Sequence, residues 1–339
     1  MKSGSSQRVT RRGLLGFEPR REEHASGSDH WIRVFRRAMA CRFEVTLAGD
    51  RAVNVPVARA ALTEADRLED SLSIFRAGSE LSRLNQLGAV SPVPIGEELF
   101  AILQLCQELS ADCDGAFDVT STPLSACWGF LRREPVVPPP AAVDAARSLV
   151  GRNRVTLDAA ARTVAFDRPG VSVNLGAIGK GYAVQAVAAR LWNDGVGDAL
   201  VSAGGSSVAA LAETGEGWQV DVTSTRGIGR LARLRLRNVA LGTSGAGEQY
   251  LELDGVRCAH VIDPRTGWPC SGIVSASVVT TDAARADALA TAFFVGGGEL
   301  ARRYCADHPD TLALLTPDDG QRRTIVVGHC RGAIVEDLQ

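Results

Sequence analysis

From Arg154 onward the chain consists of short β-prone runs divided by turns, and this pattern narrows the available folds more than any other feature. The runs cover 155–157, 163–166, 171–173, 200–202, 219–222, 234–236 and 275–280, and only two helical stretches interrupt them, at 179–193 and about 283–295. There is no repeat at a fixed period. Meanders segregated from helices predict an α+β architecture, not a regularly alternating βαβ chain. The first half fits the same scheme. Residues 43–47 alternate apolar and polar as in a half-buried strand. Residues 53–72 switch to helical spacing, with Val57, Ala61, Ala65, Leu68 and Leu72 on one face. A polar turn is expected at 79–85 and a second amphipathic helix at 96–110, while the prolines of 135–140 make a stiff surface connector.

Composition limits the function. Lys+Arg 37 against Asp+Glu 39 leaves a net charge of -2, so the broad basic surface that attracts nucleic acid or anionic lipid is not expected. The apolar runs fall short of the roughly 20 residues of a membrane-spanning helix. Near the start, Arg11-Arg12-Gly13-Leu14-Leu15-Gly16-Phe17 resembles a twin-arginine export signal, but Glu18, Arg20 and Arg21 interrupt the apolar stretch that should follow. Residues 1–29 are therefore expected to form a disordered polar arm, and 30–339 a single catalytic unit. A cytoplasmic location follows from this reading, with export by a degenerate signal left open. The eight cysteines are scattered without a CxxC pair, which fits reduced thiols, and Cys305 and His308 lack the second pair a zinc site needs.

Four segments carry chemistry. The first, VSVNLGAIGKGYAV (171–184), is a strand, a glycine turn and a helix start. Its free N–H groups and Lys180 suit a phosphate-bearing ligand, but its spacing is neither Walker A nor the dinucleotide fingerprint, so an ordinary glycine turn is equally open. In the second, ADALATAFF (286–294), Asp287 and Thr291 stand i,i+4 on one helix face and offer two hard oxygens, as Mg²⁺ requires. The other reading is a solvated aspartate and a threonine bonded back to its own helix. In the third, His260 precedes the turn signals Asp263-Pro264 and Thr266-Gly267; it is either a proton acceptor or a structural hydrogen-bonding residue. In the fourth, Asp118 and Thr120 could bind a polar ligand or cap a turn over a core Trp128.

Taken in order, MACRFE (39–44), SELSRLN (79–85), GAFDVTSTPL (115–124), GAIGKGYAV (176–184), SAGG (202–205), TSG (243–245), HVIDPRTG (260–267) and ADALATA (286–292) resemble the FAD:protein FMN transferase family, also called the ApbE family. The resemblance implies an ApbE-like, T-fold-related arrangement of antiparallel sheets with packed helices. It also implies Mg²⁺-dependent transfer of FMN from FAD to a Thr or Ser hydroxyl of an acceptor protein, with release of AMP. The metal would be held by the Ala177 carbonyl, the Asp287 carboxylate and the Thr291 hydroxyl. Flavin contacts would fall on Met39, Phe75, Ala116, Phe117, Asp118, Asn174, Lys180 and Val261, with Met39, Phe75 and Phe117 as apolar walls. His260 would be the base for the acceptor hydroxyl, and Asp287 and Lys180 would complete the catalytic group.

Three positions depart from the family pattern. Asn174 stands where an acidic residue is usual, Gln185 where an aspartate is common, and Ala40-Cys41 where Gly-Thr is common. Two other functions fit the same motifs: an FAD pyrophosphatase giving FMN and AMP, and a non-catalytic FAD-binding protein. A ligand carboxylate at a site mouth contributes little packing, so Asp287→Ala is expected to spare the fold.

Overall fold

The computed structural model describes residues 15–16, 30–224, 229–245, 250–253, 256–321 and 323–338. Its spine is an eight-stranded antiparallel sheet in the order Ile325–Gly328, Leu312–Pro317, Ile273–Thr280, Val239–Gly245, Ser207–Ala212, Asp198–Ala203, Cys41–Ala48, Trp31–Ala38. Successive residues of a strand point to opposite faces, so a central strand serves two cores. In Val239–Gly245, Val239 and Leu241 join an apolar cluster with Trp218, Val220, Leu234 and Leu236, whereas Ala240 faces the helical side. The strands Trp218–Thr223, Arg230–Leu236 and Ala333–Leu338 form the second sheet that closes the first face.

Helices close the other face: Val55–Ala61, Thr63–Leu72, Glu97–Asp112, Gly179–Asn193 and the long Ala283–Asp307. The long helix begins as an alanine-rich rod with Ala283, Ala284, Ala286, Ala288, Ala290 and Ala292 all buried. Side chains this small let it approach the sheet closely. A β-carbon on Gly242 would collide with the Ala286 carbonyl and stand 2.6 Å from the Asp287 nitrogen. A β-carbon on Gly181 would likewise collide with the Ala283 carbonyl oxygen. These two glycines are therefore fixed by backbone approach, not by a turn.

Several local expectations are corrected. Residues 79–85 form a helix, Glu80–Leu87, because Ser79 accepts a hydrogen bond from the Ser82 N–H (2.9 Å) and Leu81 and Leu84 are buried one turn apart. Residues 171–173 are not a strand: the Asn85 side chain donates to the Val173 carbonyl (2.9 Å) and accepts from its N–H (2.8 Å), replacing a ladder partner. The helix expected over 53–72 divides at Leu62. The helix expected to end at 295 runs to Asp307, bending at Gly297 (φ 69°). The expected N-terminal arm lies outside the described residues, except Leu15–Gly16, which pair with Asp221 and Val222 at the edge of the smaller sheet. No helix among the described residues is long and apolar enough to cross a membrane, and none of the described cysteines forms a disulfide.

Candidate active site

The helices Gly179–Asn193 and Ala283–Asp307 run side by side on the sheet, and polar groups from both converge at their starts. The first has no capping side chain of its own, since Ile178 occupies its N-cap. A helix start leaves N–H groups without intrahelical partners. Here the Gly181 N–H donates to Asp287 Oδ2 (3.0 Å), so the long helix caps its neighbour. Ser207, at the start of a sheet strand, donates to Asp287 Oδ1 (2.9 Å). Lys180 Nζ lies 3.9 Å from Oδ2 and donates weakly to the Gly176 carbonyl (3.5 Å).

Asp287 is only 4% exposed, so the expected site-mouth carboxylate is corrected to a buried one, and the solvated-aspartate alternative is excluded. One turn on, the Thr291 hydroxyl shares a 2.9 Å hydrogen bond with the Ser244 hydroxyl and lies 3.5 Å from the Asp287 carbonyl.

The donor set suits a hard cation. Asp287 has one hydrogen bond to each oxygen, and a carboxylate offers about four lone-pair sites, so acceptor capacity remains. The hydrogen-bonded hydroxyls of Thr291 and Ser244 follow one turn along the same helix. Among the described residues no group of three or more His, Cys, Asp or Glu is placed to hold a metal ion, so the oxygens available to a cation here would be those of one carboxylate, hydroxyls and backbone carbonyls.

The other sequence-derived residues are distributed as follows. Ala177 lies half-buried in the turn before the first helix, and Asn174 shapes that turn by accepting from the Gly176 N–H (2.9 Å). Met39 and Ala40 form the two-residue hairpin between the first two sheet strands, both with positive φ (48° and 56°). Phe75 is 77% exposed in a loop. His260 is half-buried with its ring edge-on to Phe130 (6.5 Å), and the Val261 carbonyl accepts from the Cys270 N–H (2.9 Å).

Phe117 and Ala116 belong to the main apolar core, so the expected Phe117 wall is corrected: its side chain is 2% exposed. Asp118 is buried and accepts from the N–H and hydroxyl of Thr120 (2.8 and 2.5 Å). Burial pushes its carboxyl above the usual range against these bonds and one from Ser110. Trp128, fully buried in a separate small cluster with Leu124, Phe130 and Ile262, donates its indole N–H to the Gly267 carbonyl (2.9 Å).

Ser207, Ser244 and Gln185 were absent from the sequence reading as site groups. Ser207 lies on a strand, where a lone hydroxyl has no spacing signal, while Ser244 belongs to the TSG segment but its bond to Thr291 joins residues 47 apart. Gln185 accepts a hydrogen bond from the Ala283 N–H (2.9 Å), so it caps the long helix.

The model of the ApbE family matches residues 39–316. The FAD:protein FMN transferase of Vibrio cholerae is 33% identical over 269 residues, 76% of this chain and 80% of the relative. That of Escherichia coli K12 is 32% identical over 284 residues, 81% of each. Among solved structures, the ApbE protein of Thermotoga maritima superposes with a TM-score of 0.78 at 26% identity, covering 88% of this chain and 97% of that one. The flavin transferase ApbE of Vibrio cholerae gives 0.76 at 27% identity with the same coverages.

Proposed function

The chain belongs to the ApbE family, and on that premise we propose that it transfers FMN from FAD to a threonine or serine hydroxyl of an acceptor protein, with Mg²⁺ as the metal. The carrying observation is the buried Asp287 carboxylate bonded to Ser207, with Lys180 beside it and the half-buried Thr291 and Ser244 hydroxyl pair one turn along the same helix. In this reading Asp287, Thr291 and the Ala177 carbonyl hold the ion. A divalent ion held there neutralises charge on the pyrophosphate oxygens of FAD.

The remaining work falls to the chain's own groups. Lys180, placed at the positive end of its helix, attracts the pyrophosphate. His260 accepts the acceptor's hydroxyl proton as that oxygen bonds the FMN phosphorus; the bond from phosphorus to the AMP oxygen breaks, and AMP leaves. Asn174 keeps the glycine turn in shape by its bond to Gly176. Met39, Phe75 and Val261 offer surface to the flavin, and Ala116, Phe117 and Asp118 act behind it through the turn they build.

The test is incubation with FAD, Mg²⁺ and a candidate acceptor. The reading expects a covalently flavinylated acceptor detected by in-gel fluorescence, with AMP released in equal amount. FMN release without labelled acceptor would instead show a pyrophosphatase, and intact FAD after incubation with metal would show a binding protein.

A further inference from the structure

The two helices of the site cap one another. Asp287, in the second turn of the long helix, accepts from the Gly181 N–H at the start of its neighbour. Gln185, in the second turn of that neighbour, accepts from the Ala283 N–H at the start of the long helix. Each pair is four residues apart, Gly181 with Gln185 and Ala283 with Asp287, so the two bonds are successive rungs between antiparallel helix faces. Ala283 is the first helical residue, and its N–H has no partner within its own helix. The cap supplied by Asp282 reaches a different amide, that of Arg285 (2.8 Å).

The rungs differ in what else their acceptors must do. The Asp287 carboxylate also receives Ser207 and lies near Lys180, whereas Gln185 is neutral and holds the helix start. We propose that Gln185 is a positioning residue, fixing the long helix in register so that the Asp287 oxygens and the Thr291 hydroxyl stand ready for a divalent cation. The proposal rests on the metal-site reading of Asp287 given above. Outer partners that orient metal ligands typically matter 10–100-fold in affinity.

The test is Mn²⁺ titration of the full chain without FAD, with free ion counted by electron paramagnetic resonance and thermal unfolding recorded in parallel. Gln185→Leu is expected to weaken Mn²⁺ binding about 10–100-fold. Gln185→Glu keeps the acceptor at a helix start that favours negative charge, and is expected to bind within about threefold of the parent. Ala283→Pro deletes the donor at a position where proline suits a helix, and is expected to lose as much as Gln185→Leu. The double variant Gln185→Leu/Ala283→Pro should be no weaker than either single one, because both remove the same bond.

Parent-like binding by Gln185→Leu, multiplying losses in the double variant, or a Gln185→Glu loss as large as that of Gln185→Leu would each overturn the proposal. If Gln185→Leu does not fold, Ala283→Pro and Gln185→Glu decide by the same criteria. If Asp287→Asn binds Mn²⁺ as the parent does, the metal-site reading itself fails, which is a distinct result.

Discussion

The two faces of the eight-stranded sheet are made by the same strands and are built on opposite rules. Toward the smaller sheet they present large apolar side chains such as Leu200, Val208, Val239, Leu241 and Val279, in a conventional sheet-on-sheet core. Toward the helices the outer strands also bury large residues such as Phe43, Val201 and Val278, but the two strands Ser207–Ala212 and Val239–Gly245 present Ser207, Ala209, Ala240, Gly242 and Ser244, which are small or hydroxylic. One face maximises buried apolar volume. The other gives up volume along those two strands, so that a helix backbone can come close enough for serines of the sheet to reach side chains of that helix. Stability and chemistry are thus separated by alternate residues of a single strand, and that separation can be attacked from either side.

The largest effect is expected for Asp287→Ala. Loss of the carboxylate should lower metal-dependent FMN transfer by at least about 10³-fold. It also strands the Gly181 N–H and Ser207 hydroxyl, costing about 1–3 kcal/mol in denaturant unfolding. A variant of full stability would show that the buried bonds carry no weight.

Next come two neighbours facing opposite ways. Leu241→Ala should cost about 2–5 kcal/mol while leaving kcat near the parent value in the folded protein. Gly242→Ala forces a β-carbon into the Ala286 backbone and should cost about 1–3 kcal/mol, but with a clear loss of kcat as the helix is pushed away. Equal kcat losses in the two variants would break the division between faces.

A smaller effect concerns the second buried carboxylate on the helical side. The folded chain raises the Asp118 pKa above its ordinary 3.8, so the native state holds this proton to higher pH than the unfolded one. Its contribution therefore makes stability fall as pH rises from 3.8 through the raised value, then level off. Asp118→Asn should flatten that part of the profile in urea unfolding as pH rises above 3.8. An unchanged slope would remove Asp118 as its source.

The smallest change is expected at the hairpin. Ala40 holds a left-handed conformation (φ 56°) that disfavours a β-carbon. Ala40→Gly should stabilise by about 0.5–1 kcal/mol, read as a small rise in Tm. A fall in Tm would mean that the methyl packs usefully.

Much of the fold was legible wherever the pattern was local. The helix at 179–193 begins and ends where its periodicity predicted, because a glycine turn precedes it and its apolar positions recur every three to four residues. The strands at 163–166 and 275–280 were equally clear. The errors fell where a distant partner overrides local preference. Residues 171–173 looked like a strand, but the Asn85 side chain, 88 residues away, takes both backbone groups of Val173. Residues 79–85 looked like a turn because their polar content hid the buried Leu81 and Leu84. Asp287 and Thr291 were legible as an i,i+4 pair and Ser244 lay within the TSG segment, whereas Ser207 lies 80 residues from its partner and has no local signature. Phe117 was misread because an aromatic residue beside a turn looks the same in sequence whether it packs inward or lines a slot.

The bond from the Gly181 N–H to Asp287 also gives the molecule a built-in clock. Amides at a helix start usually face water and exchange their protons quickly, but this one is buried and tied to a carboxylate on another helix. Its proton can exchange only when the two helices separate. The lifetime of that single amide in heavy water therefore times how often the site falls open, and an ion bound to Asp287 would slow it in proportion to its own occupancy.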